Sequence, residues 1–180
     1  MKNKVFAMPA LFALIATTVF AGDGWKEKLQ KELPMLGHRN WIVVADAAYP
    51  LQTAPGIETI CVESDQLEVV KGVLAELAKT KHVKPTIYTD EELNFVSEKI
   101  VPGISGYRDS LAKILTSQPV QVLPHEQIIG KLDEAGKTFK VFLIKTPLTK
   151  PYTSVFFQLE CGYWNADAEA QLRKEMRGSK

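Results

Sequence analysis

The hydrophobic pattern of this chain changes period several times. Trp41-Ile42-Val43-Val44-Ala45 is an unbroken run of bulky and β-branched residues, the pattern of a strand buried on both faces. Ile57–Val62, a short segment around Thr86-Ile87-Tyr88, Val120–Leu123, Lys140–Lys145 and Ser154–Leu159 read as further strands. Between them the period becomes helical. Trp25, Leu29 and Leu33 recur every four residues up to Pro34, and Leu67, Val70, Val73, Leu74 and Leu77 follow an Asp65/Glu68 cap. Thr89-Asp90-Glu91-Glu92 reads as a capping box opening a helix through Leu93, Val96 and Ile100, broken by Pro102-Gly103. Tyr107, Leu111, Ile114 and Leu115 mark the next helix. After Pro124, Ile128, Ile129, Leu132 and Ala135 mark another, which Gly136 ends. Strands alternating with helices predict an α/β fold, a single domain with a central, mainly parallel or mixed sheet flanked by helices.

The first 21 residues stand apart. Lys2 and Lys4 precede an apolar stretch from Val5 to Phe20, and small residues at Val19 and Ala21 suit cleavage before Gly22. This predicts a signal peptide over residues 1–21, export to the periplasm or medium, and no stable membrane anchor after cleavage. Residues 22–180 then form one domain, with residues 168–180 a polar surface helix or frayed tail. The formal net charge of the whole chain is +1, and the leading segment contains two of its lysines. The remainder is near neutral, which gives no electrostatic case for nucleic acid or an anionic surface. Cys61 and Cys161 are the two cysteines. Export permits a disulfide between them, and two unbridged thiols are slightly favoured.

Candidate chemistry enters at the strand ends. His38 precedes the Trp41–Ala45 run and Asp46 closes it, and ligands of open α/β sheets collect outside strand carboxyl ends. His125 follows the Val120–Leu123 strand in the first turn of a helix, whose dipole disfavours an added proton. Tyr152 offers a phenol before the last strand, and Ser154 lies two residues on, on the same side of an extended chain. His82, in Lys-His-Val-Lys, reads as a solvated surface residue. No Gly-rich phosphate loop, Gly-x-Ser-x-Gly elbow or paired metal-ligand motif appears, so nucleotide binding, serine hydrolysis and a metal site are not expected.

Three segments carry a resemblance. Leu36-Gly37-His38 with Asp46-Ala47, Pro124-His125-Glu126-Gln127-Ile128, and Pro151-Tyr152-Thr153-Ser154-Val155 stand in order along the chain. Together they resemble the D-ribose pyranase / L-fucose mutarotase family, over most of the chain from the first helix to about Gly162. The resemblance implies that His38 is the acid in ring opening and that Asp46, His125, Tyr152 and Ser154 bind a free monosaccharide. It also implies a homo-oligomer, a decamer, with sites at subunit contacts. Trp41, Tyr49, Phe156, Phe157, Tyr163 and Trp164 are numerous large side chains that would suit such an interface.

The chain departs from the family in two respects: Ser154 stands where the family has asparagine, and the leading segment predicts export. The chemistry itself needs no cofactor. One group takes the anomeric hydroxyl proton, another protonates the ring oxygen, and histidine serves either role near neutrality. Two further readings stand beside this one: a non-catalytic exported monosaccharide-binding protein, and a secreted structural protein reusing the fold.

Overall fold

Trp41–Ala45 forms β1, and all five of its residues are buried. The computed structural model describes residues 24–178, so the expected signal peptide lies outside the described residues. β1 sits inside a six-stranded mixed sheet of order β2-β5-β1-β6-β3-β4. The other strands are β2 (Ile57–Cys61), β3 (Val83–Asp90), β4 (Val120–Leu123), β5 (Val141–Lys145) and β6 (Val155–Cys161). β5 runs parallel to β1 on one side, and β6 runs antiparallel on the other. β6 is also antiparallel to β3, so β1, β2, β3, β4 and β5 all point one way and β6 alone points back. The mixed, doubly covered sheet expected from the pattern is the observed one.

Period-two alternation divides β1 between two cores. Ile42 and Val44 face a layer built from α1 (Trp25–Glu32), α2 (Gln66–Leu77) and α3 (Ile104–Leu115), joined by Ile87, Phe142, Ile144 and Phe157. Trp41, Val43 and Ala45 face the opposite layer, where α4 (His125–Gly136) contributes Ile128, Leu132 and Ala135. Each fully buried aliphatic or aromatic side chain contributes about 1.5–3 kcal/mol, so these two layers dominate stability. α2 begins where the sequence indicates. Asp65 accepts hydrogen bonds from the Leu67 and Glu68 amides at 2.9 and 3.2 Å. Gly72 lets α1 approach α2, because a Cβ there would meet the Trp25 indole at 2.4 Å.

Several expectations are corrected. The segment around Thr86–Tyr88 is part of an eight-residue strand, and Thr89–Asp90 closes it instead of capping a helix. The chain beyond makes only a 3-10 turn over Glu91–Asn94, which leaves Ile100 at 79% exposure. His82 is not simply solvated: its Nε2 lies 3.2 and 3.1 Å from the Leu33 and Leu36 carbonyls, tying the end of the first helix to the start of β3. Four of the six aromatics expected at an interface, Trp41, Tyr49, Phe156 and Phe157, are buried within the subunit; only Tyr163 and Trp164 are exposed. The polar tail forms α5 (Ala166–Gly178), a helix with no buried residue.

The two thiols are free. The strand order puts β2 and β6 three places apart, about 14 Å at the usual strand spacing, and each cysteine ends its strand on the opposite edge of the sheet. No disulfide spans that separation. Both should therefore be alkylated in the denatured, non-reduced protein, read by intact mass; an unmodified pair would contradict this topology. A second expectation concerns Gly56, where a Cβ would lie 2.2 Å from the Phe139 carbonyl oxygen and 2.5 Å from that of Gly136. Both neighbours are backbone, so Gly56→Ala should lower unfolding free energy by about 1–3 kcal/mol in denaturant titration.

Candidate functional site

Because five strands share one direction, their carboxyl ends form one edge of the sheet, and the amino end of β6 joins them there. That edge gathers Asp46 after β1, Asp90 at the end of β3, His125 after β4, and Tyr152 and Ser154 just before β6. The opposite edge holds the start of β1 and the end of β6. His38 lies there, with its Nδ1 2.8 Å from a Glu160 carboxylate oxygen and its side chain 57% exposed. β1 alone spans about 13 Å, so within one chain His38 does not reach the other predicted residues.

At the carboxyl edge, Asp46, Ala48, Tyr49, Pro50, Gln52, His125, Glu126, Ile129, Pro151 and Tyr152 line a cavity of about 270 Å³. A wider hollow of about 660 Å³ borders the outer side of α4 near Arg39 but contains no histidine. In the smaller cavity the Tyr152 and His125 rings pack in a T shape, with centroids 5.6 Å apart at 81°. Asp46 is held from two sides: Oδ1 accepts the Ala48 amide at 2.9 Å, and Oδ2 accepts the Ser154 hydroxyl at 3.1 Å. Ser154 is 2% exposed, so it stands behind Asp46 and orients it while the cavity wall passes in front.

A buried polar network fixes the loop that brings Tyr152 and Ser154 here. Gln66, 1% exposed in the first turn of α2, donates from Nε2 to the Tyr107 hydroxyl at 2.9 Å and to the Thr153 carbonyl at 2.5 Å. Tyr107 donates to the same carbonyl at 2.9 Å. The Thr146 hydroxyl lies 2.8 Å from Gln66 Oε1 and 3.0 Å from the Ala45 carbonyl, sharing its one proton between them. Within this frame Tyr152 adopts φ 57, a left-handed backbone that a non-glycine residue holds only when its surroundings impose it.

Two residues of this edge were missed in the sequence. Asp90, 1% exposed, looked like a helix cap, and Tyr49, 4% exposed, looked like interface material. Among the described residues, buried side-chain atoms without a hydrogen-bond partner gather here: Tyr49 Oη, Gln52 Oε1, both Asp90 oxygens and His125 Nδ1; Thr59 Oγ1 on β2 stands apart. His125 Nδ1 and Asp90 Oδ1 are 3.1 Å apart, close enough for an ion pair yet off the line of a hydrogen bond. The backbone amide of His125 is satisfied by Glu92, whose carboxylate oxygens accept it at 2.9 and 3.1 Å and so close the amino end of α4.

Burial pushes the Asp90 carboxyl up to about 6, an effect to which the Glu92 and Asp46 carboxylates add and which His125 partly offsets. Burial, together with Asp133, Asp90 and Asp46, holds the Tyr49 phenol far above its ordinary range, so it stays a donor. The signal that could have exposed Asp90 is the one that exposed Asp46: an acidic residue at the carboxyl end of a strand.

A raised carboxyl pKa opposes folding once the group ionises. The folded chain binds the Asp90 proton up to pH about 6 and the unfolded chain releases it near 4, so wild-type stability falls as pH rises through that window. Asp90→Asn should therefore be more stable than wild type at pH 7–8, by about 1–3 kcal/mol, with the advantage shrinking toward pH 4. Denaturant titrations across pH 4–8 check it.

Comparison with solved structures finds similar chains. One is Bacillus subtilis RbsD complexed with D-ribose, at 24% identity over 74% of this chain and 91% of that one, with a TM-score of 0.50. Another is the fucose mutarotase in complex with L-fucose from Streptococcus pneumoniae, at 22% identity over 74% of this chain and 91% of that one, with a TM-score of 0.49. The first supports the fold. A search of curated proteins gives no match. The family model described as the RbsD / FucU transport protein family matches residues 25–162, from the first helix through the end of β6, and the chain belongs to that family.

Proposed function

We propose that this protein is a sugar mutarotase or pyranase, interconverting the cyclic forms of a free monosaccharide by acid–base ring opening and closing. The observation that carries the reading is the cluster of unpartnered buried polar atoms around one small cavity at the carboxyl edge. A monosaccharide presents hydroxyls in every direction, and this cavity offers Asp46 as acceptor, Tyr49 as donor, and Gln52, Tyr152 and His125 as mixed partners. Family membership supports the same reading, and the sugars bound in the similar structures, D-ribose and L-fucose, are the first candidates.

His38 enters as the acid through assembly. Its exposed ring is braced on Nδ1 by Glu160, and a second copy docking against the carboxyl edge would bring Nε2 to the cavity. The reading therefore includes a multimer, a decamer by the family resemblance, and separately export of the mature chain, expected from the leading segment. No metal or cofactor enters the steps.

The test is exchange between anomers and between pyranose and furanose forms, followed by saturation-transfer NMR on ribose, fucose, galactose and glucose. His38→Ala should lower exchange by about 10²–10⁴-fold while the melting temperature and sugar-dependent stabilisation stay near wild type. Stabilisation by a sugar without exchange in the wild type would replace the enzyme by a binding protein. Light scattering at micromolar concentration should show a multimer, and a stable monomer would remove His38 from the mechanism.

A further inference from the structure

The mutarotase reading needs a proton acceptor as well as the acid, and the structure holds a buried carboxylate with no assigned task. Asp90 is 1% exposed at the end of β3, both its oxygens lack hydrogen-bond partners, and Nδ1 of His125 lies 3.1 Å from one of them. A carboxylate in that position is destabilising unless something recovers the cost. We propose that Asp90 is a positioning residue that fixes the proton of His125 on Nδ1, so that His125, through Nε2, is the catalytic residue that takes the anomeric hydroxyl proton. The inference rests on the mutarotase reading.

Geometry separates the two ring nitrogens. Nδ1 is shielded from solvent against Asp90, whereas the ring, with its side chain 29% exposed, forms part of the cavity wall. The edge bearing Nε2 is thus the one that meets a ligand. A carboxylate facing Nδ1 selects the tautomer protonated there, because it is an acceptor only, and leaves a lone pair on Nε2. The Tyr152 ring packs against that of His125 in a T shape and limits its rotation.

The step balances without any co-reactant. Nε2 takes the proton of the anomeric hydroxyl, whose O–H electron pair becomes the second carbon–oxygen bond of the carbonyl. The bond from the anomeric carbon to the ring oxygen breaks, and that oxygen takes a proton from His38. After rotation about the adjacent carbon–carbon bond, the ring hydroxyl attacks either carbonyl face and both protons return. While the proton resides on His125 the imidazolium faces Asp90 across 3.1 Å, so the buried charge that opposes folding stabilises the charge that develops in turnover.

The groups facing Asp90 set its pH response: His125 on α4, Glu92 in the following turn, and Asp46 and Tyr49 at the end of β1 and in the loop after it. Protonation of Asp90 removes the acceptor and frees the tautomer, so exchange should fall as pH drops through about 6.

The test has two independent readouts. Long-range proton–nitrogen correlation NMR of histidine-labelled protein at pH 8, with the signal identified by its loss in His125→Gln, should show His125 protonated on Nδ1 and bare at Nε2. Asp90→Asn, whose amide donates toward Nδ1, should shift the proton to Nε2, lower exchange by about 10²-fold or more and abolish the acid limb near pH 6, without lowering the melting temperature at pH 7. Asp90→Glu should recover part of the rate. Wild-type His125 protonated on Nε2 overturns the proposal, and that measurement decides it even if Asp90→Asn does not fold. A folded Asp90→Asn with wild-type rate and pH profile overturns it as well. Absence of exchange in wild type with the tautomer as expected would instead remove the mutarotase reading and His125 as its base, leaving only the fixing of the Nδ1 proton by Asp90.

Discussion

One buried amide holds this site together. Gln66 sits in the first turn of α2, yet its side chain reaches Tyr107 on α3, the Thr153 carbonyl before β6 and Thr146 after β5. An amide is the smallest side chain that offers two donors and an acceptor in one plane, and here all three directions are used. The loop between β5 and β6 has no regular structure of its own to define it. Fixing it through Gln66 determines where Tyr152 points and keeps Ser154 on Asp46. The cavity's shape is thus set from the opposite face of the sheet, in the layer of α1, α2 and α3.

Much of the architecture was legible because burial and period agree. The Trp41–Ala45 run, the Asp65 cap and the four-residue spacing of Trp25, Leu29 and Leu33 each mean one thing locally, and tertiary structure does not override them. The error around residues 83–100 has a definite cause. Pro85 argues against a strand, and Thr89-Asp90-Glu91-Glu92 imitates a helix start. The proline is tolerated because it pairs with Leu159 of β6 while β4 contacts begin only at Ile87, so β3 has a neighbour on one side there.

The site was legible in part for a different reason. Asp46, His125 and Tyr152 converge because strand direction brings strand ends together, which can be anticipated from element order alone. Asp90 and Tyr49 could not be distinguished in sequence from a cap and an interface aromatic, since what sets them apart is missing hydrogen-bond partners. His38 is the converse case: the eight positions separating it from Asp46 look short on paper, but a strand lies between them.

The sheet order also governs how this chain reaches its native state. β1 lies near the beginning of the described residues, yet its two neighbours are the last strands: Trp41 pairs with Val141, and Ile42 with Phe157. During synthesis the most apolar strand therefore waits for about a hundred residues before either edge can be satisfied, and β2 waits for β5 over a somewhat shorter stretch. Closing loops of that length must precede the contacts that reward them, which makes folding slow and leaves a sticky unpaired segment exposed in the meantime. The arrangement that buries the centre of the sheet most completely is the one that makes nascent chains most dependent on protection from aggregation.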